Sequence, residues 1–148
     1  MRVTIEAGLQ LIKLFEGFSP TVYLCPAGYP TIGYGHVVQD AEHWPTPLAE
    51  AEGDELLRRD LIRYENAVCR LIQVPLSDRC FASLVSFAFN LGEGALAAST
   101  LRRLVNAGRL EDAAPQFDRW VFAGSQKLMG LVRRRAAERV MWESGLQL

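Results

Sequence analysis

Glu16, Cys25 and Thr31 place a carboxyl, a thiol and a hydroxyl in one short stretch, with eight residues between the first two and five between the last two. Together such groups can donate a proton, engage water or an electrophilic carbon, and hold a water in place. Ile5, Leu9, Ile12 and Glu16 recur at helical spacing, which sets the ionisable acid on an apolar face, and Gly17 follows as a helix C-cap. A carboxyl there loses water on one side and meets the negative end of the helix dipole on the other. Both effects disfavour its anion, and an acid that keeps its proton near neutrality can hand it to a leaving group. Taken alone, a glutamate in the last turn of an amphipathic helix is more often a boundary residue with a packed stem and a wet head.

The surrounding elements decide whether the three groups meet. Thr21-Val22-Tyr23-Leu24-Cys25 reads as a short strand, Pro26 to Pro30 as a turn, and Thr31-Ile32-Gly33-Tyr34-Gly35 as the return strand, so a hairpin carries thiol and hydroxyl towards each other. Gly33 and Gly35 remove side chains from one edge of that strand, a pattern used where a ligand or another backbone comes close. His36, Val37 and Val38 begin a third strand. Thr46 followed by Pro47 reads as a helix start, and Leu57, Leu61, Tyr64, Val68 and Leu71 carry a long helix to about residue 71, with Gly53 a possible break near its start. Ser77 caps the next helix, which turns Phe81, Leu84, Val85, Ala88 and Leu91 towards a core and closes at Gly92. Three further helices are expected over Ser99 to Asn106, Leu110 to Phe122 and Gly130 to Ser144.

One helix, a small sheet and then helices is the order of an α+β protein with segregated elements. The 148 residues, 49% hydrophobic, suit a single domain over 1–148. Its N-terminal lobe would span about 16–60 and its helical C-terminal lobe about 72–148, with the first helix packed on the latter. A long helix joins them and a cleft between lobes is the default binding site.

Sixteen basic and seventeen acidic residues give a net charge of -1, so nothing global points to nucleic acid or an anionic membrane. Arg133, Arg134 and Arg135 nevertheless make the C-terminal segment locally basic. No long apolar run and no export leader are present, so the chain is expected to start in a cytoplasm, without a membrane anchor. Three cysteines, Cys25, Cys69 and Cys80, lack disulfide-framework spacing, and Cys69 and Cys80 read as small core residues. With only His36 and His43 and no cysteine pair at ligand spacing, neither a metal site nor a cofactor is expected.

Several ordered motifs carry a specific likeness. Glu16-Gly17-Phe18, the Cys25 and Thr31 spacings, Tyr29 to His36, Phe87-Ala88-Phe89-Asn90-Leu91-Gly92, Ser99-Thr100-Leu101, Trp120 to Gly124 and Gly130 to Arg135 resemble the phage-type lysozymes of glycoside hydrolase family 24 over essentially the whole chain. That family's motif is Glu, eight residues, Asp or Cys, five residues, Thr. The resemblance implies Glu16 as general acid, Cys25 in the place of the second catalytic carboxylate, and Thr31 helping to hold the attacking water. It implies peptidoglycan as substrate, cut between N-acetylmuramic acid and N-acetylglucosamine. An arginine of the C-terminal helices faces the catalytic glutamate in that family, and Arg133 is the candidate. Gly33, His36 and Asn90 are further candidates for substrate contact.

The resemblance also implies a phage endolysin, monomeric, that waits in the host cytoplasm and reaches the wall when a holin opens the inner membrane. A thiol in place of a carboxylate leaves the stereochemistry open, because it orients water weakly when protonated and can act as base or nucleophile when ionised. Three other classes stand beside this reading, one of them a transglycosylase that uses a lone acid and forms an anhydro-sugar. Cys25 with His36 could serve a cell-wall peptidase or amidase, and a catalytically idle module could bind glycan only.

Overall fold

A computed structural model describes residues 1–147, and two compact units divide the chain. The smaller comprises residues 13–62; the larger comprises residues 1–12 and the chain from residue 63 onward. The result is a helix-dominated α+β protein with small antiparallel sheets. No helix among the described residues is long and apolar enough to cross a membrane.

The smaller unit holds the last turn of α1 (Glu6–Glu16), the strands β1 (Ser19–Leu24), β2 (Pro30–Gly33) and β3 (His36–Val37), and the first part of α2 (Glu50–Leu71). The strands form an antiparallel sheet in the order β1-β2-β3, with Tyr23 opposite Thr31, Thr31 opposite Val37, and Ile32 opposite His36. β2 ends at Gly33 rather than Gly35, because both glycines take left-handed backbone, φ 66° and 78°, which breaks the ladder. Beneath the sheet Ile32, Leu48 and Leu56 form a core that Phe18, Val38 and Trp44 partly cover.

α2 begins three residues after Pro47, not at it. Leu48 explains the delay. Its side chain is buried and its N–H donates to Pro20 O at 2.8 Å, so residues 46–49 are held against β1 and the core. Glu52 then accepts the Ala49 N–H at 3.1 Å, one half of a capping box. Gly53 does not interrupt α2. A Cβ there would stand 2.6 Å from the Phe18 ring, so its smallness lets the segment after Glu16 lie on the helix.

The larger unit contains α3 (Asp78–Leu91), α4 (Glu93–Ala98), α5 (Thr100–Asn106), α6 (Leu110–Ala113), a 3-10 turn (Ala114–Arg119), the hairpin strands β4 (Phe122–Ala123) and β5 (Gln126–Lys127), and α7 (Met129–Gly145). Every residue of α3 from Cys80 to Ala88 is buried, and Ser77 caps it by accepting the Cys80 N–H at 3.2 Å. Phe87 meets Phe117 and Trp120 edge-on, at centroid distances of 5.9 and 5.4 Å. The Trp142 indole donates to Leu110 O at 2.8 Å.

One helix over Leu110 to Phe122 does not form. Pro115 lacks the amide hydrogen that would continue the ladder, so α6 tightens into the 3-10 turn, and Gly124 then turns β4 into β5. The short helix α4 lies between two expected elements and carried no periodic signal of its own. Cys80 is in the core as expected, whereas Cys69 is exposed, because Ala67 and Val68 take the inward positions of that turn.

Candidate active site

α1 ends on Glu16, and Gly17 turns the chain with φ 72° while its N–H still donates to Lys13 O at 2.9 Å. The acid is half-buried. Its carboxyl rests against Gly35: a Cβ built on Gly35 would come within 2.6 Å of Glu16 Oε1. Hence the glycine pair has two separate uses. Gly35 makes room for the acid, whereas Gly33 is buried with Leu48 3.4 Å from where its Cβ would lie and the Gly53 backbone beyond.

Cys25 follows the last residue of β1, and the next four residues fold back on it. Its N–H donates to Tyr29 O at 2.9 Å and its carbonyl accepts the Gly28 N–H at 2.8 Å, with Gly28 at φ 85°. Around the half-buried thiol this turn gathers hydrogen-bond donors. The Tyr29 amide does most to hold Cys25 below the ordinary thiol range; partial desolvation opposes it, and the amides of Ala27 and Gly28 and the Thr31 hydroxyl assist. Thr31 is buried on β2 and its hydroxyl also donates to Tyr29 O at 2.9 Å. That single proton goes either to the carbonyl or to the thiolate. Thiol and hydroxyl are therefore together, while Glu16 meets the chain at Gly35, four positions past Thr31.

His36 is engaged on both sides. Nδ1 lies 2.8 Å from Asp60 Oδ2 on α2, Nε2 lies 3.1 Å from Glu42 Oε1, and Trp44 meets the ring edge-on. Glu42 also accepts the Gln39 N–H at 2.7 Å, and that bond, first, holds its carboxyl below the usual range. Burial pushes the Asp60 carboxyl up, and His36 opposes the shift. With both ring nitrogens facing carboxylates, His36 has no free nitrogen to take a proton from Cys25. Sequence spacing did not reveal Asp60 or Glu42, whose link to His36 is tertiary.

A second link fixes the start of the site. Lys13, one turn before Glu16, bonds Asp54 on α2, and Arg58 Nε reaches the other Asp54 oxygen at 2.7 Å. Those two cations, Arg58 foremost, hold the Asp54 carboxyl below its ordinary range.

In the larger unit Asn90 is half-buried and its Oδ1 accepts from Arg135 Nη2 at 2.7 Å. Arg133 is exposed on α7, whereas Arg134 and Arg135 are buried with Glu138, whose other donor is the Ser86 hydroxyl at 2.6 Å. Burial pushes Glu138 up against the pull of both guanidiniums. The three-arginine run is thus one exposed cation and two core ones. Among the described residues, no group of three or more His, Cys, Asp or Glu side chains is placed to hold a metal ion.

A half-buried acid, a hydrogen-bonded thiol and a buried threonine hydroxyl lie in one small sheet-bearing unit. The phage lysozyme family model matches residues 13–138, and the chain belongs to that family. It is 39% identical over 142 residues to an endolysin of Bacillus phage B103, spanning 95% of this chain and 54% of that protein, about half its length. Two solved structures align over nearly the whole chain. The muramidase domain of SpmX from Asticaccaulis excentricus gives a TM-score of 0.86 at 37% identity, covering 96% of this chain and 98% of that one. A mutant P22 lysozyme gives 0.86 at 32% identity, covering 97% and 99%.

Proposed function

We propose that the protein is a muramidase that hydrolyses the β-1,4 bond between N-acetylmuramic acid and N-acetylglucosamine in peptidoglycan, in the manner of a phage endolysin. The observation that carries this reading is the Glu16 carboxyl seated on Gly35 in the same unit as the hydrogen-bonded Cys25–Thr31 pair. Glu16 gives its proton to the glycosidic oxygen as the C1–O bond breaks. The Thr31 hydroxyl holds the water, and the Cys25 thiolate takes the water's proton as its oxygen bonds C1. Direct attack of the thiolate on C1 is the other route, and the anomer formed first, read by NMR, separates the two.

Asn90 and the exposed Arg133 are proposed as contacts to the glycan and its anionic groups. Gly33 and His36 line the same strand-turn segment from within, and their part in substrate binding is indirect on this reading. The names of the relatives support a role in host lysis. On this reading the protein acts as a monomer, remains in the bacterial cytoplasm, and meets the wall after a holin opens the inner membrane.

Loss of turbidity in a suspension of permeabilised cells tests the proposal. Glu16→Gln should reduce the rate by at least about a hundredfold, the size of effect expected for a general acid, and Cys25→Ser should reduce it far more than Cys25→Asp. Retained activity in Glu16→Gln together with loss in His36→Ala would instead favour the cysteine peptidase or amidase chemistry.

A further inference from the structure

The Gly35–Glu16 contact raises a positional problem. Gly35 has no side chain and lies in left-handed backbone, and the strand that follows it, β3, is only two residues long with two ladder positions. So short a strand is marginal on its own. The β2–β3 ladder and the Val38 N–H, donated to Pro30 O at 2.9 Å, hold the strand backbone beyond the turn, and His36, the residue next to Gly35, adds two side-chain attachments. Asp60 belongs to α2 and Glu42 to the loop after β3, so the imidazole is tied at both nitrogens to different elements. Trp44 closes the ring's edge at a centroid distance of 5.8 Å, and Arg59 is the cation whose charge reaches Asp60. Two attachments at opposite ends of a planar ring fix its position and its plane, which one attachment would leave free to swing.

We propose that His36 is a positioning residue for the proton donor: the Asp60–His36–Glu42 clamp holds Gly35 where the Glu16 carboxyl rests on it. This rests on the reading of Glu16 as the acid. It assigns His36 a role through Glu16 rather than through the sugar. The clamp is complete when each ring nitrogen meets its carboxylate, and the half-buried Glu42 side is the one that can be altered with least disturbance to the core. Displacing an acid by even about 1 Å costs on the order of a hundredfold in rate, so loosening the clamp should appear in turnover rather than in binding.

Initial rates on purified, solubilised glycan strands, with circular dichroism as the folding check, test this in His36→Asn, Glu42→Gln and Asp60→Asn. The expected result is a fall in kcat of about tenfold or more for His36→Asn, with KM within about twofold and a smaller fall of the same kind for Glu42→Gln. Gly35→Ala, whose Cβ would press on Glu16, should reproduce the kcat loss. Should His36→Asn or Asp60→Asn fail to fold, Glu42→Gln still reads the split. Unchanged kcat in folded variants would overturn the proposal in favour of a role in stability alone, and a rise confined to KM would overturn it in favour of substrate contact. Full activity in Glu16→Gln, assayed alongside, would mark failure of the acid assignment itself.

Discussion

The turn at residues 25–29 hands a thiol to the amides of its own backbone, and this makes Cys25 chemically unlike an ordinary surface cysteine. Because the Tyr29 amide, the other turn amides and the Thr31 hydroxyl favour the anion, Cys25 is held below the ordinary thiol range. A thiolate, not a thiol, is what reacts with an alkylating reagent. In a Cys69→Ser background, which removes the exposed competitor, inactivation by iodoacetamide should therefore reach half its plateau rate at a lower pH than the reaction of a small free thiol measured in parallel. The sign follows directly: the thiolate fraction grows as pH rises, and stabilising the anion moves that growth downward. A half-plateau pH equal to or above that of the free thiol would show that the turn does not stabilise the anion. That the three groups lie in one unit was legible in the chain because they are local, within one helix end and one hairpin. The role of Gly35 was not, since the glycine pair announces a close approach without naming what approaches.

At the scale of elements, two ion-pair systems hold helices in place, and each gives a prediction. Asp54 joins Lys13 of α1 to Arg58 of α2 and its carboxyl is depressed by them. A depressed carboxylate contributes stability above its unfolded pKa, about 3.9 for Asp, and loses it as pH falls through the lower folded value. Asp54→Asn should accordingly lower Tm at neutral pH, and the difference from wild type should close as pH drops below about 4; a difference that persists in acid would locate the effect elsewhere. In the larger unit, α7 presents Arg134 and Arg135 to Glu138, all buried, with Ser86 of α3 completing the contact. Removing this acid takes a buried carboxylate away from two buried cations. Glu138→Gln should cost about 3 kcal/mol or more by urea denaturation, and a loss under about 1 kcal/mol would show that the arginines are already balanced by other acceptors. Long periodic elements such as α1, α3 and α7 could be read from the chain because a continuous apolar face marks them. Pro115, Leu48 and the β4–β5 hairpin escaped because their signals are one or two residues long and their partners are tertiary.

Across the whole molecule, the residues proposed for the chemistry lie in the unit of residues 13–62, Glu16 at the end of α1 and Cys25, Thr31 and His36 on or beside the sheet. The α+β order and the family were legible from motifs spread over the chain, and the family model spans residues 13–138. Asp60 and Glu42 were not, since a clamp between residues 24 and 6 positions from the histidine leaves no periodic trace. Nor could the sequence sort the arginine run, because Arg133 faces solvent while its two neighbours are buried beside Glu138, Ser86 and Asn90 through tertiary contacts. The account as a whole stands on which bond is broken and on which residue supplies the proton. Purified peptidoglycan digested to completion, reduced with borohydride and analysed by mass spectrometry gives the most direct reading. The account predicts new reducing ends that are muramic acid, hydrated rather than anhydro, and none above background with Glu16→Gln. New glucosamine ends, anhydro-muramic ends, freed peptides without new reducing ends, or undiminished product from Glu16→Gln would each contradict it.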